Sequence, residues 1–151
     1  MIYIHIPFCK SRCLYCDFFS TTSSDLKDDF VKALLKEIEG RAEELRFARA
    51  NTIYIGGGTP SQLDAKHLTD IFGALQRVAP LQDGAEVTIE CNPDDITPEF
   101  VDALKATPVN RVSMGVQTFD DNLLRLLRRR HTSEQAHRAV SLLREAGYSN
   151  I

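Results

Sequence analysis

Cysteine is sparse in this sequence: four in 151 residues, too few to staple a small secreted scaffold. Long apolar runs are missing as well, and none approaches the roughly 20 residues that span a bilayer. The N-terminal stretch Met1-Ile2-Tyr3-Ile4-His5-Ile6-Pro7 has neither the basic start nor the long apolar centre of a secretory signal. Positive charge is not in excess either: 18 Lys and Arg stand against 21 Asp and Glu, a net charge of −3. General nucleic-acid binding, which calls for a basic face, is therefore not expected. There is no low-complexity segment and no internal repeat, and Thr21-Thr22-Ser23-Ser24 is too short for a domain linker. What remains is 43% hydrophobic and 26% charged, which reads as one globular domain of cytoplasmic type.

Four short runs alternate apolar and polar residues: 2–6, 52–55, 86–91 and 111–117. Their period of two and β-branched content predict strands. Helix-like stretches lie between them. Leu26, Phe30, Leu34, Ile38, Ala42 and Leu45 form one apolar stripe, and Leu68, Ile71, Phe72, Leu75 and Val78 a second. Thr97 before Pro98 predicts a capped third helix, and Thr132 with Gln135 predicts a capping box on a last helix closed by Gly147. Repeated strand–helix alternation predicts an α/β fold, a parallel sheet with helices outside. Tyr148-Ser149-Asn150-Ile151 reads as the start of a fifth strand, and a complete (β/α) barrel takes about 250 residues. Residues 1–151 are therefore expected to be the first half of a larger barrel, cut at that strand.

The alternation also assigns faces. Ile2, Ile4, Ile6, Ile53, Ile55, Val87, Ile89, Cys91, Val112, Met114 and Val116 fall on one side. Tyr3, His5, Thr52, Tyr54, Thr88, Glu90, Ser113 and Gln117 fall on the other. In a helix-covered barrel the second row lines the lumen, and groups this polar need partners once out of water. A ligand with many polar atoms in the barrel mouth meets that need; an open or antiparallel sheet facing solvent is the alternative.

Directly after the first strand comes Cys9-Lys10-Ser11-Arg12-Cys13-Leu14-Tyr15-Cys16, with three thiols in eight residues. That is where barrel active sites are built, and thiolates suit zinc or iron–sulfur clusters. Structural zinc wants four ligands, whereas a [4Fe–4S] cluster on three cysteines leaves one iron open. Zinc with His5 as fourth ligand, within a zinc-stabilised binding module, and a Cys13/Cys16 redox pair are the competing readings. Cys91 reads as core. His67 and His137 read as helix-surface residues, and Arg128-Arg129-Arg130, taken alone, as a solvated helix end.

The Cys-x3-Cys-x2-Cys run resembles the signature of the radical S-adenosylmethionine (SAM) superfamily. Tyr3-Ile4-His5-Ile6-Pro7-Phe8-Cys9, Gly56-Gly57-Gly58-Thr59-Pro60, Glu90-Cys91-Asn92-Pro93 and Ser113-Met114-Gly115-Val116-Gln117-Thr118-Phe119 extend the likeness along the chain. They resemble the branch that holds oxygen-independent coproporphyrinogen III dehydrogenase and the heme chaperones. The resemblance implies a [4Fe–4S] cluster on Cys9, Cys13 and Cys16, with SAM on the open iron. It implies SAM contacts from Tyr3, Tyr15, Gly57, Gly58, Thr59, Glu90, Gln117 and Arg129. Where the dehydrogenases carry a fourth cysteine two residues after the third, this chain has Phe18, and His131 follows the arginines. Both features resemble the heme chaperones, which bind heme and pass it to an acceptor protein. The other branch member would decarboxylate a porphyrinogen oxidatively through a 5′-deoxyadenosyl radical, fed by an electron donor. The resemblance places the heme site beyond Ile151, and the 151 residues are expected to hold a cluster but bind SAM weakly.

Overall fold

The computed structural model describes residues 1–47 and 50–151. At its centre lie four parallel strands, β1 (Ile2–Ile6), β2 (Thr52–Gly57), β3 (Glu86–Cys91) and β4 (Arg111–Met114), paired in sequential order. Helices α1 (Lys27–Gly40) and α2 (Ala42–Phe47) connect β1 to β2, α3 (Ala65–Val78) connects β2 to β3, and α4 (Pro98–Lys105) connects β3 to β4. After β4 come α5 (Asp121–Leu126) and α6 (Ser133–Glu145). Every crossover steps the same way across the sheet, which is the winding of a β/α barrel and not of a doubly wound sheet. Beyond β4, a parallel bridge joins Arg111 to Asn150, and the Val112 N–H donates to the Asn150 carbonyl at 3.0 Å.

The faces divide as the alternation predicts. Ile4, Ile6, Ile53, Ile55, Val87, Ile89 and Val112 are buried with Leu68, Ile71, Leu75, Leu104 and Leu143 of the helices in one core. On the opposite face the register aligns Tyr3, Tyr54, Thr88 and Arg111 in one row. Nearer the strand ends His5 pairs with Gly56, and Glu90 with Ser113. Part of this polar row satisfies itself. Thr88 is fully buried, donates to Glu86 at 3.2 Å and accepts from Arg111 at 3.1 Å.

Several local expectations change. The stripe from Leu26 to Leu45 is two helices, because the chain leaves helical geometry at Arg41 (φ −96°, ψ 14°) after the weak helix former Gly40. Leu26 lies outside both, in an exposed 3-10 turn. The fourth strand stops at Met114, so Val116 and Gln117 are not strand residues. His67 is buried, not on the surface: its Nε2 meets Asp28 of α1 at 3.0 Å and ties α3 to α1. His137 is exposed and stacks on Phe119 at 4.9 Å between ring centroids. The caps form as read: Thr97 accepts from the Phe100 N–H, and Thr132 and Gln135 make a reciprocal capping box.

Because Ile89 is fully buried at the middle of the sheet, Ile89→Ala is expected to cost about 2–5 kcal/mol. Urea unfolding followed by circular dichroism measures it.

Candidate functional site

The cysteine loop leaves the C-terminal end of β1 and is pinned at several points. At its base the Thr21 N–H donates to the Pro7 carbonyl at 2.7 Å, and the Cys9 N–H donates to the Thr21 carbonyl at 2.9 Å. His5 Nε2 donates to the Phe19 carbonyl at 2.8 Å, and Arg12 to the Ser20 carbonyl at 3.0 Å. The loop's outer turn is tied to the end of α5, where the Leu14 N–H meets the Leu127 carbonyl at 3.1 Å. Cys9, Cys13 and Cys16 are free thiols, each half-buried. Among the described residues no three Cys, His, Asp or Glu side chains converge as the ligands of one ion would. A cluster with several irons takes each thiolate on a separate iron and needs no such convergence on one point.

Glycine at the end of β2 is a spatial requirement. A Cβ on Gly58 would lie 2.9 Å from the Phe8 carbonyl oxygen and 3.1 Å from Cys9 Sγ. One on Gly57 would lie 2.7 Å from the His5 ring, and φ there is +115°. Bare backbone lets the β2 end press against the cysteine loop.

A cavity of about 210 Å³ opens beside this contact. Of the residues singled out above, Cys13, Tyr15, Cys16, Gly57, Gly58, Thr59, Glu90, Gln117 and Arg129 line it. Cys9 is not among its lining residues, and its thiol accepts from the Thr59 hydroxyl at 3.4 Å. Tyr3 does not line it. Its ring stacks on Tyr54 at 6.1 Å, and its hydroxyl meets His5 Nδ1 at 3.3 Å. Tyr3 reaches the cavity indirectly, since Tyr54 donates to Glu90 at 2.6 Å. Burial, then the Glu90 hydrogen bond, raises the Tyr54 phenol above its ordinary value, so it stays a donor. The Gly57 N–H also donates to Glu90, at 3.0 Å.

Arg129 is turned inward, unlike a solvated helix end. Its guanidinium donates to Cys13 Sγ at 3.1 Å and to the Asn92 side-chain oxygen and the Gly115 carbonyl. All three acceptors lack the formal charge of a carboxylate, leaving a cation beside the thiols without an acidic partner. Among the described residues only two non-glycine residues have φ in the left-handed region, Gln117 at 70° and Arg128 at 57°. Each lies at the turn that directs a side chain into the cavity, its own for Gln117 and the next residue's for Arg128. Backbone strain of this kind costs about 1–3 kcal/mol and gathers at functional sites. Gln117 therefore reaches the cavity through a turn, not through strand alternation.

Other residues here were quoted in the sequence motifs without a role at the cavity. Asn92 joins Arg129 to Thr59, and Gly115 leaves room for both the Gln117 and the Arg129 side chains. His131 is buried and donates from Nε2 to the Val116 carbonyl at 3.0 Å, bracing the Gln117 turn. Burial, with the Arg129 charge adding to it, pushes its imidazole below the ordinary 6.5. Cys91 is buried in the core, and burial drives its thiol far up.

Thiols on the loop that leaves the C-terminal end of β1, beside an acid and a cation that has no carboxylate partner among the described residues, mark this end of the α/β sheet as the candidate site. The sequence profile of the radical SAM superfamily matches residues 3–151, and the chain belongs to that superfamily. It is 40% identical to the heme chaperone HemW of Lactococcus lactis and 39% identical to that of Bacillus subtilis, over 99% of this chain in each case. It covers 38% and 40% of those proteins, so it spans about two fifths of the length of these curated relatives. The solved structure of coproporphyrinogen III oxidase HemN from Escherichia coli, described as a radical SAM enzyme, superposes with a TM-score of 0.87. Identity there is 32%, over 98% of this chain and 35% of that one. No helix among the described residues is long and apolar enough to cross a membrane.

Two outcomes are expected. Gly58→Ala drives a methyl into Phe8 and Cys9 and displaces the cysteine loop, so alkylation of the loop thiols quickens by about tenfold or more, as a locally opened segment requires. For His131, the folded value lies below the unfolded 6.5, so the unfolded chain takes up the proton first as pH falls. Stability is full above 6.5 and declines as the pH drops below it. His131→Gln, which keeps a donor for Val116, should flatten that decline in thermal melts from about pH 5 to about pH 8.

Proposed function

We propose that this chain is the cluster- and SAM-binding part of a heme chaperone of the HemW type, working in the cytoplasm. The observation that carries the reading is the cysteine loop itself: three free thiols on a loop pressed against a glycine turn at Cys9, with Arg129 and Glu90 both lining the neighbouring cavity. Cys9, Cys13 and Cys16 hold a [4Fe–4S] cluster in it. When bound, the cluster supplies single electrons and an open iron for the amino and carboxylate groups of SAM. Gly57 and Gly58 bring backbone close to the cofactor, and Thr59 holds Cys9. Glu90, fixed by Tyr54 and the Gly57 N–H, takes a cationic or hydroxyl group of SAM. Arg129, lacking a carboxylate of its own, takes the anionic end, with Gln117 and Tyr15 alongside. Tyr3, stacked on the Tyr54 that fixes Glu90, stands as a further SAM contact.

Heme as the ligand, and a protein that receives it, rest on the names of the relatives and on Phe18, which stands on the cavity wall where the dehydrogenases carry a fourth cysteine. The second reading is a coproporphyrinogen oxidase, supported by the HemN superposition. In that case an electron donor and a porphyrinogen replace the acceptor protein and heme.

A cavity of about 210 Å³ falls short of the roughly 300–1,000 Å³ of a complete small-molecule site. The chain alone is therefore expected to assemble the cluster and bind SAM weakly. Anaerobic reconstitution with iron and sulfide should give about four irons per chain, as a [4Fe–4S] cluster requires, and the reduced EPR spectrum should shift on adding SAM. Alanine at Cys13 should abolish both. Iron at the level of the Cys13→Ala variant, or zinc alone, would overturn the reading. A longer chain that forms 5′-deoxyadenosine while consuming a porphyrinogen would favour the oxidase.

A further inference from the structure

Asp95 takes no part in the cavity, yet more donors converge on its carboxylate than on any other side chain among the described residues. Lys10 Nζ lies 2.9 Å from Oδ1, the Ser61 hydroxyl and Gln62 amide lie 2.8 and 2.7 Å from Oδ2, and Arg130 Nη2 is 3.3 Å from both oxygens. The side chain is only 3% exposed. A carboxylate so removed from water is tolerated only with full pairing, which two cations and two neutral donors supply here. The donors come from three segments that strand pairing does not join: the cysteine loop, the turn after β2 and the chain after α5.

Their positions matter. Lys10 follows Cys9, and Arg130 follows Arg129. Arg130 is held a second time, by Asp94 at 2.8 Å. Lys10 has Asp95 as its one salt-bridge partner among the described residues. Asp94 thus steadies the arginine segment alone, whereas Asp95 joins that segment to the cysteine loop.

We propose that Asp95 is a positioning residue: by gripping Lys10 and Arg130 together, it fixes the cysteine loop against the arginine segment and holds the Arg129 guanidinium on the Cys13 sulfur. The proposal rests on the reading of Cys13 as a cluster ligand, because its consequence is felt at the cluster. Hydrogen bonds to ligand sulfurs help set the potential of an iron–sulfur cluster, and a guanidinium donor brings a full positive charge. Loosening the Asp95 joint withdraws that charge, so the cluster becomes harder to reduce.

Two measurements on the 151-residue chain test it. The first needs no cluster: iodoacetamide labelling of the apo protein, resolved by peptide mass spectrometry, with buried Cys91 as the internal reference. The second is the EPR-monitored reduction potential of the reconstituted protein. Asp95→Asn keeps the shape and an acceptor oxygen for Ser61. Lys10→Met keeps the half-exposed stem and carries the test should Asp95→Asn fail to fold. His67→Gln loosens α1 from α3 away from the loop and serves as the control for general destabilisation. Asp95→Asn and Lys10→Met should speed labelling of Cys9, Cys13 and Cys16 by about tenfold, the signature of local opening. Cys91 should stay unchanged and the potential should fall. Loop labelling at the wild-type rate in folded Asp95→Asn, or an equal rise in His67→Gln, would overturn the proposal. Faster labelling with an unchanged potential would overturn the link to Arg129. Failure of the wild-type chain to take up a cluster would count against the cluster reading, while the labelling arm still decides whether Asp95 holds the loop.

Discussion

Three segments meet around Gly56, Gly57 and Gly58 at distances where an added Cβ would force its neighbours to shift. A Cβ on Gly56 would lie 2.9 Å from Glu90, one on Gly57 2.7 Å from His5, and one on Gly58 3.1 Å from Cys9. Bare backbone here lets β2 end inside the site instead of beside it. Glu90 can then accept the Gly57 N–H, and Thr59, one residue past the glycines, can reach Cys9. Parallel pairing sets the height of these strand ends, and the core on the other face keeps the register from slipping, since a one-residue slip would turn Ile53 and Ile55 outward. The site depends on the sheet for its floor and on the missing side chains for its closeness.

What was legible in the sequence is what period and proximity along the chain encode. Strand faces follow from alternation, and Thr97 and Thr132 announce helix starts because a cap acts within three residues of itself. The three cysteines share one loop and so declare themselves. The remainder is long-range. Lys10 and Asp95 are 85 residues apart, and Arg129 and Cys13 are 116 apart; no local pattern marks either pair. The burial of His67 depends on Asp28 arriving from another helix. Gln117 shows how a correct position can be reached by an incomplete argument: the alternation that placed it in the lumen ends at Met114, and a left-handed turn does the placing. Tyr3 shows the reverse, since its face was read correctly while Tyr54 stands between it and the cavity.

The consecutive residues Arg128, Arg129 and Arg130 separate three roles that composition would merge. Arg128 takes the left-handed turn at the end of α5 and stays in solvent. Arg130 is matched by Asp94 and Asp95, so its charge is spent inside the protein. Among the described residues Arg129 meets neutral groups, a thiol, an amide, a carbonyl and the Tyr15 phenol, so its charge remains available to an anion. A cation lodged among neutral dipoles is poorly compensated once water is displaced. An incoming carboxylate gains what the protein withheld, and the same exchange would draw Arg129 away from Cys13. If Cys13 holds the proposed cluster, cofactor binding and the electrostatics of that cluster would be joined through this one side chain.

That coupling bears on how one core can serve a chaperone and an oxidase. On the proposed reading the cysteine loop and the ends of β2, β3 and β4, which line the cavity, would hold cluster and cofactor, and the likeness to HemW and HemN covers this part of the chain. Within it, the difference lies at the rim. Phe18 stands on the cysteine loop beside Cys16, exposed and apolar, with Leu14 and Phe19 exposed on the same loop. A thiol at position 18 would offer another soft ligand; a phenyl ring offers only contact area, suited to a flat apolar partner or to covering chain. On the proposed reading the floor would serve either chemistry, and the rim at Phe18 is where this chain departs from the dehydrogenase pattern.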